Sequence, residues 1–257
     1  MPVLNRAAIK EEAKYNINLY KDYGNWIMVL LPIIVFPFLF SLSYRFFGFN
    51  FEISLDTVQD FERLAEALRD PYVTAPMSIV QSLQSVVEIL LIPVQFAVTI
   101  YFLKCLRNNV SYPYSAAYTD LKNSFGRYLG IGFVTGLIEA LFCFLLIVPG
   151  IIKYYQYYMV PYIVGDNRYI TGDQARKLSK LITDGHKSEL FMLDLSFIGW
   201  DMLCSMTAGI LNIYVLPYKL TARAMYYENL KRYAIEKGLA DASAFGETQI
   251  DNEGGVQ

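Results

Sequence analysis

The chain has 257 residues, of which 54% are apolar, 16% aromatic and 18% charged, against about 25% charged in a soluble domain. A net charge of −2 argues against a nucleic-acid partner. Cys105, Cys143 and Cys204 lie scattered in or beside apolar runs, giving neither a disulfide framework nor a zinc site. Together with 21 tyrosines, a residue that membrane interfaces collect, this composition reads as an integral membrane protein.

Residues 1–25 are polar, and 4–22 pattern as an amphipathic helix with Ile9, Ala13, Ile17 and Tyr20 three or four apart. The reading is a cytoplasmic helix resting on the inner leaflet, with a partner-binding arm as the alternative. The first apolar run, 26–44, follows this lead and contains Pro32 and Pro37 without a small-residue cleavage site after it. That pattern is a retained span rather than a signal peptide. An external loop, 45–78, carries a helical stripe of Val58, Phe61, Leu64, Ala65 and Leu68, capped at Asp56 and ended by Asp70-Pro71. The second span, 79–103, has Glu88 as its one charge.

The apolar stretch from Tyr128 to Val164 would make a single helix about 55 Å long, against a hydrocarbon core of about 30 Å. It has to fold back, and Pro149-Gly150 supplies the break, giving spans 128–148 and 149–165. Residues 171–185 form a basic amphipathic helix. Thr171 and Gln174 fit a capping box, Ala175, Leu178, Leu181 and Ile182 share a face, and Gly185 is a stop. Arg176, Lys177 and Lys180 project from the other faces and suit an anionic leaflet, at about 1 kcal/mol each. The stretch from Leu190 to Tyr227 turns at Thr207-Ala208-Gly209, giving spans 189–208 and 210–228. Residues 236–257 form an acidic tail poor in large apolar residues, expected to be disordered.

The expected fold is therefore all-α: a polytopic membrane bundle of six transmembrane helices in three hairpins, over 26–235, with amphipathic interfacial helices. Sixteen of the 22 basic residues fall in the N-terminal lead, the 104–127 and 168–187 connections, and the C-terminal end. That alternation places both termini in the cytoplasm.

Glu88, Glu139, Asp194, Asp201, Lys219 and Arg223 lie inside these spans, where a lone charge costs at least about 2.5 kcal/mol. Counted from the Gly209 turn, Asp201 comes level with Lys219, and Asp194 with Arg223. Glu139 lies at a similar depth by its distance from Pro149, and Glu88 by its distance from the outer end of its span. Two readings stay open. The pairs lock hairpins together, or the six residues line a polar midplane that binds a cationic or protonatable ligand, or carries protons. The tyrosines at 154, 155, 157, 158 and 162 could stack on a cation or serve as filling. Gly132-x-x-x-Gly136 reads as internal packing ahead of a dimer seam, and Pro93 as a kink in the second span.

His186 is the one histidine, so a two-histidine zinc protease motif is impossible. The sequence has no phosphate-binding loop and no nucleophile elbow. No enzyme and no cofactor are expected.

The run from Ile147 to Tyr155 with Tyr158 to Ile163 forms one block. It is followed by Ala175 to Ser179, Gly185-His186-Lys187, Leu193 to Trp200, and Pro217-Tyr218 with Thr221 to Ala224. Over roughly residues 1 to 235 these blocks resemble the uncharacterised bacterial integral-membrane family known as domain of unknown function 975. The family is distantly similar to the membrane part of some glycerophosphodiester phosphodiesterases, but no phosphodiesterase domain is attached here. The resemblance implies a bacterial plasma membrane and a helical bundle, and implies no mechanism.

The leading expectation is a non-enzymatic multi-pass protein that binds or transports a small cationic or amphipathic ligand, or a lipid, through its charged midplane. The alternative is a membrane scaffold that recruits partners through its amphipathic helices, with purely structural charges. In either case the partners expected are membrane lipids, anionic on the cytoplasmic side.

Overall fold

A computed structural model describes residues 6–19, 22–47, 71–207, 209 and 211–246. Among them there is no strand, and the described residues form ten α-helices and one short 3-10 turn. They are α1 (Arg6–Leu19), α2 (Tyr23–Phe47), α3 (Pro71–Asn108), α4 (Tyr114–Leu145), α5 (Ile147–Tyr157), α6 (Val160–Asp166), α7 (Gly172–Ile182), α8 (Lys187–Leu195), α9 (Ile198–Met206) and α10 (Asn212–Glu236), followed by the 3-10 turn Ala242–Phe245.

Helix α3 is the axis of the bundle and packs against α2, α4, α6 and α10. Two glycines let its neighbours approach. A Cβ on Gly132 would collide with the Ile92 side chain, and one on Gly165 would come within 2.6 Å of Ile100 Cγ1. Gly132 thus serves α3–α4 packing inside the chain, whereas Gly136 has nothing near it.

The first tight reversal falls at Leu146, which takes an extended conformation (φ −157°, ψ 131°) between α4 and α5. The sequence places this break three residues later, at Pro149-Gly150. Proline is tolerated in the first turn of a helix, where its missing N–H has no partner to lose, so Pro149 opens α5 instead of ending α4. Gly150 then lies against the α4 backbone at Cys143. The second reversal agrees with expectation: α9 ends at Met206, Gly209 has φ +86°, and α10 starts at Asn212.

The expected count of six transmembrane helices does not hold as drawn. Among the described residues two segments are long and apolar enough to cross a membrane, Ser82–Asn108 and Tyr114–Leu145. The expected span 149–165 is divided at Tyr158-Met159, just before Pro161, whose ring cannot donate back to the residue 157 carbonyl. The span 189–208 is divided at Ser196-Phe197, where the Ser196 hydroxyl donates to the Leu193 carbonyl (2.6 Å) and competes with the helical ladder. The span 210–228 falls on α10 from Asn212 onward, and Lys219 and Arg223 interrupt its apolar run.

Two surface helices also differ from expectation. Ile9, Ala13 and Ile17 of α1 are buried, because α1 lies on α10. The Lys10 ammonium caps the α8–α9 break, 3.2 Å from the Ser196 carbonyl and 4.5 Å from the Phe197 ring centre. In α7 the capping box forms as expected, but Ala175, Leu178 and Ile182 are buried in the core. Both apolar faces are spent inside the protein, and only Leu181 of the expected α7 face is exposed.

The tail expectation is corrected in its first part. Residues 242–245 form a 3-10 turn with Phe245 buried, and Asn167 Nδ2 donates to the Ala244 carbonyl (3.2 Å). Residues 247–257 lie outside the described residues, as does the helix expected at 56–70. The loop of 45–78 is shorter than expected, since α2 continues to Phe47 and α3 begins at Pro71. Proline at the first position of a helix is favoured, and Pro71 opens α3.

Candidate ligand cavity

Helices α3, α4, α5, α6 and α10 line a half-open cavity of about 320 Å³, within the size range of small-molecule sites. Its polar lining comes from Gln95 and Thr99 of α3, Thr135 and Glu139 of α4, Tyr154, Tyr157, Tyr158 and Tyr162, and Arg223 of α10. Ile92, Phe96, Val160 and Leu220 supply apolar wall.

One side of the cavity is a closed polar cluster. Arg223 donates to Asp194 Oδ1 through Nη2 (2.8 Å) and Nε (3.2 Å). The Tyr158 hydroxyl lies 2.8 and 2.9 Å from the two Asp194 oxygens, and the Tyr155 hydroxyl donates to Oδ2 (3.3 Å). The Arg223 guanidinium also lies over the Tyr158 ring, 5.1 Å from its centre, a cation–π arrangement. The α5–α6 break positions Tyr158 here. Ser179 of α7 holds that break, donating to the Gln156 carbonyl (2.7 Å) and accepting from the Met159 N–H (3.3 Å).

Glu139 faces the same cavity and has no hydrogen-bond or ion-pair partner among the described residues. Thr135, one turn before it, donates to the Ile131 carbonyl (2.7 Å). Lys153 stands seven residues after the Leu146 reversal, as Glu139 stands seven before it. Its ammonium lies over the Phe142 and Tyr157 rings instead, at 4.8 and 5.6 Å.

The six charges expected at one midplane therefore divide. Glu139 and Arg223 line the cavity, and Asp194 stands behind Arg223. Lys219 and Asp201 pair with each other at 2.7 Å and take no part in the lining. Glu88 is exposed on α3 and accepts from Gln84 Nε2 (2.8 Å), so the expected shared layer loses it. Arg176, Lys177 and Lys180 do not line the cavity, and Lys177 pairs with Asp173 (2.7 Å).

A second polar cluster joins residues that no sequence pattern brings together. Asp166, at the end of α6, pairs with Arg107 of α3 (2.7 Å) and Lys231 of α10 (2.9 Å), and the Tyr227 hydroxyl donates to it (2.7 Å). Lys231 also lies over the Phe245 ring. Burial pushes the Asp166 carboxyl up, but the Arg107 hydrogen bonds, the Arg107 and Lys231 charges and the Tyr227 hydroxyl together hold it below the usual carboxylate range. Among the described residues no three His, Cys, Asp or Glu side chains gather to hold a metal.

Residues 127–234 match the family model described as Protein of unknown function (DUF975). The DUF975 match covers less than half of the chain and is narrower than the 1–235 resemblance. It includes Glu139, the tyrosines, Asp194 and Arg223, but not α3, which closes the cavity with Gln95 and Thr99. No curated protein and no solved structure matches the chain.

Proposed function

We propose that the chain is a non-enzymatic membrane protein that binds a small cationic, amphipathic molecule in this cavity. The observation that carries the reading is Glu139. Asp194 and Arg223 offset each other, so the lining keeps one uncompensated carboxylate, set among aromatic rings and apolar wall. A cation with an apolar body meets all three features.

The exposed apolar surface supports the membrane setting. At the α4–α5 reversal Phe144 is 90% exposed and Ile147 71%, with Leu145, Leu146 and Val148 beside them, and on α9 Met206 is 82% exposed. Such a surface is far beyond the scattered apolar residues of a soluble protein. Most of the apolar stretch of α4 also lies outside the core. In this reading α2, α3, α4 and α10 cross as continuous helices, and 147–165 and 187–206 cross as interrupted segments in a plasma membrane. Broken backbone at membrane depth is tolerated where it is buried in protein. The basic residues keep both termini cytoplasmic. With Lys104 at the inner edge, about 20 residues of helix reach the outer edge near Gln84, which puts Glu88 about one turn inside that edge. The basic side chains of α7 then face anionic headgroups.

Native mass spectrometry of the full chain in lipid nanodiscs tests the proposal. Wild type should retain a discrete small cation or lipid that Glu139→Gln loses. Identical spectra for the two would reject it and return the search to partners of the exposed polar faces of α1 and α7.

A further inference from the structure

We propose that the cavity exchanges protons for cations: a cation enters as the Glu139 carboxyl gives up its proton, one for one. The proposal rests on the cation-binding reading above and adds what the empty site must hold. An unpaired carboxylate amid apolar and aromatic walls is costly, and it is relieved by protonation or by a counter-cation. With no side chain pairing Glu139 among the described residues, the two occupants compete for one group. The step balances simply. The Glu139 O–H bond breaks, the proton leaves to water, and the carboxylate keeps the electron pair and faces the bound cation.

The groups around Glu139 leave it as the single switchable charge. From α3 come Gln95 and Thr99, both neutral, and from α4 itself Thr135, already donating to Ile131. From α5 and α6 come the phenols of Tyr154, Tyr157, Tyr158 and Tyr162. From α10 comes Arg223, which Asp194 of α8 offsets. Lys153, level with Glu139 across the hairpin, is turned onto the Phe142 and Tyr157 rings. Proton and cation are thus mutually exclusive, and by linkage each weakens the binding of the other.

The probe is dodecyltrimethylammonium, whose charge is independent of pH. It is titrated calorimetrically into the full chain in zwitterionic nanodiscs between pH 5.5 and 8.5, in buffers of different ionisation enthalpy, with empty nanodiscs subtracted. Wild type should bind more tightly as pH rises, approaching tenfold per unit where Glu139 is protonated, with up to one proton released per cation. Glu139→Gln should bind weakly and without pH dependence, and Lys153→Met should keep wild-type behaviour. Binding at equal affinity across the range, with no proton released, would overturn the exchange and leave cation binding standing. A pH dependence that survives in Glu139→Gln would also overturn it. No binding at any pH would overturn the cation-binding reading itself.

Discussion

Gly150 lies so close to Cys143 that a Cβ built on it would stand 2.5 Å from the Cys143 Cα. The neighbour is backbone, so α4 and α5 must separate to admit even a methyl group. That separation would move Tyr154, one helical turn after Gly150, away from the cavity wall it shares with Glu139.

Gly150→Ala should therefore destabilise the protein by about 1–3 kcal/mol, the usual range for overpacking. Gly136→Ala, with nothing within 4 Å, should be neutral or slightly stabilising through helix propensity. Thermal unfolding in detergent compares them, and equal midpoints would refute the close-contact account.

Asp201 and Lys219 pair on a face where Asp201 is 46% exposed. In lipid, Asp201→Asn or Lys219→Met alone strands a charge at a cost of about 2.5–3.5 kcal/mol. The double variant should recover most of that loss. In water the same pair would be worth under about 1 kcal/mol. Folded yield in membranes is the readout, and single variants that assemble as well as wild type would count against a lipid-facing pair.

Asp166→Asn leaves the buried Lys231 without its carboxylate, while Arg107 keeps Glu228 (2.6 Å from its Nε), and should cost about 3–5 kcal/mol at neutral pH. The wild-type carboxyl is held below its unfolded value. Its stabilisation is therefore full above about pH 4 and is lost as pH falls through the lowered value. Melting curves taken from pH 7 to pH 3 should show an acid-dependent loss in wild type that the variant lacks. Parallel curves would disprove the role given to Asp166.

Ala13 is completely buried between α1 and α10. Ala13→Glu should release α1 and expose residues 6–19 to hydrogen exchange and protease. If the segment stays as protected as in wild type, α1 is held by something other than this contact.

The charge pairs show how far a linear reading reaches. A helix rises 1.5 Å per residue, so equal distances from a turn mean equal depth. On that basis Asp201 comes level with Lys219 and Asp194 with Arg223, and the structure joins both pairs. The rise per residue gives Glu88 and Glu139 a depth but no direction, and Glu88 lies on an exposed face of α3 while Glu139 lines the cavity, because the direction of a side chain depends on which face its helix turns inward. The capping box at Thr171 and the turn at Gly209 were legible because both are local backbone chemistry.

Long-range association lay beyond such a reading. Asp166 finds partners 59, 61 and 65 positions away, with an acid at the end of an apolar run as its one sequence signal. Amphipathic patterns in α1 and α7 promised a buried face without naming what buries it, and the protein's own α10 and core do so in place of lipid. Composition, hydrophobic period and local turn chemistry thus determined an all-helical chain, the Gly209 reversal and two ion pairs, since each depends on neighbours along the backbone. The cavity, the unpartnered Glu139 within it and the Asp166 junction were decided by the tertiary structure alone, because each needs side chains that only the packing of distant helices brings within a few ångströms.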